Sequence, residues 1–240
     1  MLNKKFFILN SLIAIFILNF NLHAVAADAT TDDWSYLWKQ SFHELKSSDS
    51  QKLGLLGVVS ILLVRPLDDK IHMGNYLHQN MSKSTSHIGD FLGTGLFGAP
   101  IAASQYFGWD PANGQRHILS LVLTQIGTGA LKMSFGRQRP GGSKDHFSFP
   151  SGHTSTMFAT ATSLAYEYGW EVGVPMYSLA VLTGVSRLAD DAHWFSDVVG
   201  GAFLGFITAR SVHQIETKGS RDFSWWIVPT ANGLKIVSHF

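Results

Sequence analysis

The chain has 240 residues, no cysteine, 18 basic against 17 acidic side chains and a formal net charge of +1. That length suits one domain with a sizeable core, and the near-neutral balance argues against a nucleic-acid partner, which calls for a strong basic excess. Without cysteine there is no thiolate nucleophile, thiolate zinc site or disulfide, and a hydrophobic share of 45% with 12% aromatics points to small anions or lipids as partners.

The amino terminus reads as an export signal. Lys4 and Lys5 precede a largely apolar stretch from Phe6 to Phe20, and Ala24-Val25-Ala26 offers the small residues that a signal peptidase reads, with cleavage expected after Ala26. The alternative is an uncleaved anchor, although the apolar run falls short of the roughly 20 residues a span needs. Either way the domain is expected outside the cytoplasm, in the periplasm or cell envelope. Next, Trp34, Leu37, Trp38, Phe42 and Leu45 recur at helical spacing. Such a stripe faces a core in the simplest reading; the sharper reading is a membrane interface met through the tryptophans.

Leu53 to Val64, Val172 to Val185 and Val198 to Ala209 are uncharged runs nearer the length of core helices than of bilayer spans. Phe91 to Trp109 is longer, but its glycines and Pro100 divide it into two pieces with a bend. The expectation is therefore a soluble or peripherally bound helical domain, with an integral-membrane protein as the alternative. Ser82 to Ser86 reads as an exposed polar loop. At the end of the chain, Trp225 to Val228 and Leu234 to Val237 are β-prone runs around Asn232-Gly233, the signature of a hairpin.

Three blocks carry chemistry. His117 to Met133 reads as a helix with Lys132 near its end, and Arg139 shares the face of Lys132 if the winding continues, because seven residues make about two turns. Pro140, Gly141 and Gly142 then turn the chain. A lysine and an arginine so placed are either a solvated face or a phosphate clamp, since arginine offers a planar fork and lysine a mobile point charge. Arg137 is assigned to the rim or surface. Pro150-Ser151-Gly152-His153 looks like a helix start, with Ser151 as the cap and the Gly152 amide open to close approach by an anion. Ser186-Arg187 ends an apolar run, and His193 and Asp197 follow one helical turn apart, close enough for the carboxylate to hold the imidazole. Asp190 and Asp191 read as turn or surface acids.

In order and spacing these blocks resemble the type 2 phosphatidic acid phosphatase superfamily, which includes class A acid phosphatases, lipid phosphate phosphatases and vanadium haloperoxidases. A lysine seven positions before Arg-Pro, then Pro-Ser-Gly-His, then Ser-Arg with a histidine six positions on and an aspartate four beyond are all present, spanning Lys132 to Asp197. The link from Pro140 to Pro150 is short for the family. The resemblance implies an all-α fold, a compact helical bundle of the acid phosphatase and vanadium haloperoxidase type, to which the residues of the tail add a short C-terminal β-hairpin. Taken with the export signal and the hairpin read from the residues, the chain is expected to divide into a leader (1–26), a helical phosphatase domain (27–216) and a tail (217–240).

The resemblance also implies roles. Lys132, Arg139, Arg187, Ser151 and Gly152 bind the phosphate, His193 backed by Asp197 attacks phosphorus, and His153 protonates the leaving oxygen. The substrate would be a phosphorylated lipid or a small phosphomonoester, no metal or other cofactor is required, and the optimum would be mildly acidic to neutral. A haloperoxidase holding vanadate in the same pocket, or a binding protein for phosphorylated lipids, are the rival readings.

Overall fold

The computed structural model describes residues 33–73 and 80–215, with the backbone of 224–230 and 233–239. The expected leader and its cleavage point lie outside these residues. In chain order the helices are α1 (Trp34–Leu45), α2 (Ser48–Val64), α3 (Asp68–Met73), α4 (Lys83–Gly93), α5 (Gly98–Ser104), α6 (Pro111–Phe135), α7 (Gly152–Tyr168), α8 (Trp170–Ala189) and α9 (Phe195–His213). A 3₁₀ turn at Arg65–Leu67 joins α2 to α3, and a π turn at Gln105–Trp109 extends α5.

Short polar side chains start most of these helices by taking up an amide that has no partner within the helix. Asp33, Ser47, Ser82, Asp110 and Ser151 each accept from a backbone N–H two or three residues on. Ser82 thus opens α4 rather than belonging to a loop, and Ser86, expected to be exposed, is buried in its first turns. Gly93 ends α4 and Gly95 turns the chain at φ 89°, which produces the expected bend before α5.

Helix α7 is the axis of the bundle, packed against α4, α6, α8 and α9. Its buried face is built from threonine, serine and alanine as much as from larger apolar residues. Neighbouring backbones therefore approach closely: a Cβ at Gly205 of α9 would lie 2.2 Å from the Ser155 carbonyl oxygen, and one at Gly201 would lie 2.6 Å from that of Ser151. The larger apolar core, with Met157, Leu164, Met176 and Leu92, fills the space between α7, α8 and α4. At the far end of α7 the buried Gln105 amide donates to Glu167 at 2.6 Å and to Tyr168 at 2.7 Å, and its oxygen accepts from His117 at 2.8 Å.

The outside of the bundle is apolar. Leu55, Leu56, Leu62 and Leu63 of α2, Val122 and Ile126 of α6, and Val174 and Val181 of α8 are all exposed. Among the described residues, three helical runs are long and apolar enough to cross a membrane: Ser48–His72, Pro111–Phe135 and Trp170–Ala189, of 25, 25 and 20 residues. At about 1.5 Å per residue each reaches or exceeds the ~30 Å hydrocarbon core. Only 11% of the apolar window of the first is buried inside the protein. Of the alternatives open in the sequence, soluble, peripherally bound or integral, these helices fit membrane association. The uncharged runs understated the helices, because Asp49, Lys52, Arg116, Lys132 and Arg187 lie near helix ends rather than between helices. The Trp34, Trp38 and Phe42 stripe of α1 is likewise exposed; on that helix only Leu37 and Ser41 are buried.

The tail pairs as an antiparallel hairpin, β1 (Ser224–Thr230) with β2 (Gly233–His239), in the register Ile227 to Ile236.

Candidate active site

All three sequence blocks meet at one end of the bundle, where α6 and α8 finish and α7 and α9 begin. Lys132 lies on the last turn of α6, which ends at Phe135 with Gly136 in the left-handed conformation at φ 53°. The winding therefore does not persist to Arg139, and Lys132 and Arg139 do not share a helix face. Arg139 arrives instead on a folded-back loop, in which its amide donates to the Asp145 carbonyl at 3.0 Å and the Ser148 amide donates to that of Arg137 at 2.9 Å. Its guanidinium is aimed by Asp145 at 2.7 Å and by the Ala192 carbonyl at 2.9 Å. The Lys132 ammonium donates to the Phe147 carbonyl of the same loop.

Ser151 caps α7 and is wholly buried, its amide donating to the Asp197 carbonyl at 3.0 Å. It shapes the helix start from behind and does not line the cavity. Gly152 does: its missing side chain faces Lys132, whose Cε would stand 3.9 Å from a Cβ there. A cavity of about 340 Å³ is bounded by Lys132, Arg139, Gly152, His153 and His193, with Gly93, Thr94, Gln125, Thr128, Gly129 and Thr156 completing it. Arg187 is buried just outside. It lines a second cavity of about 510 Å³ with Lys83, Ser86, His87, Asp90 and Asp190.

His193 is 4% exposed and follows the turn after α8. Its Nδ1 atom lies 3.8 Å from Asp197 Oδ2, close enough for charge attraction but beyond hydrogen-bond length. The Asp197 carboxylate is occupied elsewhere: Oδ1 accepts from Arg137 at 2.5 Å, and Oδ2 accepts from Ser148 at 2.5 Å and from the Trp194 amide at 3.0 Å, closing the first turn of α9. Burial, assisted by Arg139 and Lys132, depresses the His193 pKa below its ordinary value; Asp197 opposes that shift.

His153 is partly exposed, with Nε2 3.2 Å from Asp90 Oδ1. Its pKa is also depressed, first by burial and then by Arg187, with Asp90 acting in the other direction. Asp90 in turn accepts from Arg187 at 2.5 Å, and Asp190 accepts from the same guanidinium at 2.8 Å.

Several participants were missed by sequence reasoning. Arg137, expected at the rim, is mostly buried: besides Asp197 it donates to Ser196 at 2.7 Å and to Asp68 at 2.8 Å, and it stacks 5.4 Å from the Trp194 ring. Asp68 is itself buried and accepts from the Ser196 amide. Asp190 and Asp191 do occupy the turn, yet each has a partner, Ser86 for Asp190 and His72 for Asp191. No local pattern marks Asp68 or Asp90, which come from segments far from the three blocks.

Comparison with known proteins follows the same stretch of chain. The PAP2 superfamily profile matches residues 115–221, which hold the lining of the 340 Å³ cavity apart from Gly93 and Thr94. That stretch is similar to the PAP2 superfamily. The chain is 32% identical over 163 residues to the lipid A 1-phosphatase of Porphyromonas gingivalis, covering 65% of this chain but only 30% of that protein. It is 27% identical over 167 residues to the lipid A 4'-phosphatase of Helicobacter pylori, covering 65% of this chain and 80% of the other. Among solved structures, Aquifex aeolicus LpxE superposes with a TM-score of 0.54 at 23% identity, covering 62% of this chain and 96% of that one. The first transmembrane PAP2 type phosphatidylglycerolphosphate phosphatase from Bacillus subtilis gives the same TM-score and identity, covering 67% and 92%. Both share the helical fold of this chain.

Proposed function

We infer that this protein is a membrane-embedded phosphatase that removes phosphate from lipid phosphates on the outer side of the membrane that holds it, through a phosphohistidine intermediate. One observation carries the reading: a cavity walled by two cations and two imidazoles opens at the end of helices whose sides are apolar. A phosphate group can enter that cavity while acyl chains stay in the hydrocarbon region beside α2, α6 and α8. Lipid phosphatases among the matched proteins point the same way.

The chemistry follows from the side chains. Lys132 and Arg139 attract the phosphate and neutralise charge on its equatorial oxygens, with the Gly152 amide at the helix start and Arg187 behind His153 adding to the field. His193 turns Nδ1 toward Asp197, which leaves Nε2 to attack phosphorus. The N–P bond forms as the P–O bond to the lipid breaks, and His153 gives its proton to the departing oxygen. Water then attacks the phosphohistidine, His153 takes a proton from it, and inorganic phosphate leaves with His193 restored. Asp197 stabilises the positive imidazole between the two steps.

The test is phosphate release by detergent-purified protein from lipid A, phosphatidic acid, phosphatidylglycerophosphate and a soluble aryl phosphate. A parallel arm with vanadate, peroxide and bromide measures halide oxidation. Release from at least one lipid phosphate, with membranes that retain the protein through a high-salt wash, supports the reading. Bromide oxidation without phosphate release, or release of the protein by salt alone, contradicts it.

A further inference from the structure

Helix α4 presses on the catalytic end of the bundle more closely than packing requires. A Cβ at Gly93 would lie 2.4 Å from the Cβ of His153, and one at Gly89 would lie 2.4 Å from the Ser186 hydroxyl oxygen. Only glycine permits that approach at these two positions; between them Leu92 enters the core against α7 and α8, and Asp90 carries the carboxylate. The approach brings one carboxylate oxygen, Oδ1, within 3.2 Å of His153 Nε2 and 2.5 Å of an Arg187 nitrogen. We propose that Asp90 is a positioning residue of the reaction, which holds the His153 imidazole protonated and aimed until the substrate oxygen takes its place. The proposal rests on the phosphatase reading above.

The charges around His153 fix the direction of the effect. Arg187 from α8, Lys132 from α6 and Arg139 from the loop all disfavour its cation, as does burial, whereas Asp90 from α4 favours it. His193 lines the same cavity. Without Asp90 three guanidinium or ammonium groups would face His153 unopposed, and its proton would be lost at lower pH. Asp90 also shields Arg187 from His153 by accepting from both. As the phosphate enters, its oxygens replace the carboxylate on both partners, so the proton stays on Nε2 where the leaving oxygen receives it.

The experiment compares pH profiles of kcat/KM for wild type, Asp90→Asn and Asp90→Glu on dioctanoyl phosphatidic acid in detergent micelles. Using one substrate cancels the ionisation of its own phosphate. An opposite charge at this range moves a pKa by about 1 to 3 units, so the alkaline limb of the Asn variant is expected to move about one pH unit toward acid. The loss is then roughly tenfold above the limb and less than about threefold below it, while the Glu variant keeps the wild-type limb. Should Asp90→Asn fold poorly, Asp90→Ser gives the same comparison. A profile lowered evenly at all pH values assigns Asp90 to packing alone and overturns the proposal, as does a faster Asn variant with a lower KM, which would make Asp90 an obstruction. Inactive wild-type protein would instead overturn the phosphatase reading itself.

Discussion

Arg137 donates to the wholly buried Asp197 at 2.5 Å, and the same carboxylate lies 3.8 Å from Nδ1 of His193. Asp197 is thus an organiser first: it closes the turn that starts α9, anchors the loop at Ser148 and pairs with Arg137. Removing the arginine leaves Asp197 and Asp68 buried without their cation. Arg137→Gln is expected to lower stability by roughly 3 kcal/mol and the melting temperature in detergent by about 5 to 10 °C. An unchanged melt would show that Arg137 belongs to the surface after all.

His193→Ala is expected to lose hydrolysis by about a thousandfold or more, because His153, the other imidazole of the cavity, serves the leaving oxygen and does not replace the nucleophile. Lys132 and Arg139 stay in place, so the variant should still bind a non-hydrolysable phosphonate lipid with an affinity near that of wild type, measured by equilibrium dialysis. Retained hydrolysis would remove His193 from its role.

The pH optimum is expected on the acid side of the ordinary imidazole value of about 6.5. The sign follows from both histidines. His153 must carry a proton to act as the acid, and its depressed pKa means that the proton is lost as pH rises through a value below the ordinary one. His193 must be neutral to attack, and its depressed pKa keeps it neutral further into acid. The bell therefore shifts to lower pH on both limbs. A kcat/KM that climbs steadily above pH 7 would be incompatible with these assignments.

Much of this site was legible along the chain because its parts are local. A lysine near a helix end, a capped glycine-histidine start and a histidine one turn before an aspartate each leave a short pattern, and these residues do meet at one end of the bundle. Arg139 reaches the cavity from another element than the expected helix face: the helix stops at Gly136, and a loop closed by Asp145 and Ser148 brings the guanidinium back. Arg137, Asp68 and Asp90 were not legible, because their partners lie 60, 69 and 97 residues away or comparably distant along the chain. The membrane character was understated for a related reason. Run length between charges measures only the apolar middle of each helix, whereas the exposure of Leu55, Leu62 and Leu63 is a tertiary fact.

The glycines of α9 supply a structural test. Gly205→Ala would place a Cβ 2.2 Å from the Ser155 carbonyl oxygen and 2.9 Å from the Ala159 nitrogen, both backbone atoms that cannot yield alone. The α7–α9 contact should open, with a stability loss of roughly 1 to 3 kcal/mol. Gly54→Ala on α2 meets nothing within 4 Å and replaces a poor helix former, so that variant should melt no lower than wild type. Equal melting of the two variants would contradict the close α7–α9 approach.

The most direct test of the phosphohistidine account is trapping. An aryl phosphate has a leaving group that needs little protonation, so His153→Ala should still be phosphorylated by radiolabelled substrate while lacking the base for the second step. The account predicts an acid-labile, alkali-stable label that accumulates on the peptide containing His193 and is absent when His193→Ala is added. Phosphate release without any such label, or a label on another residue, would contradict it.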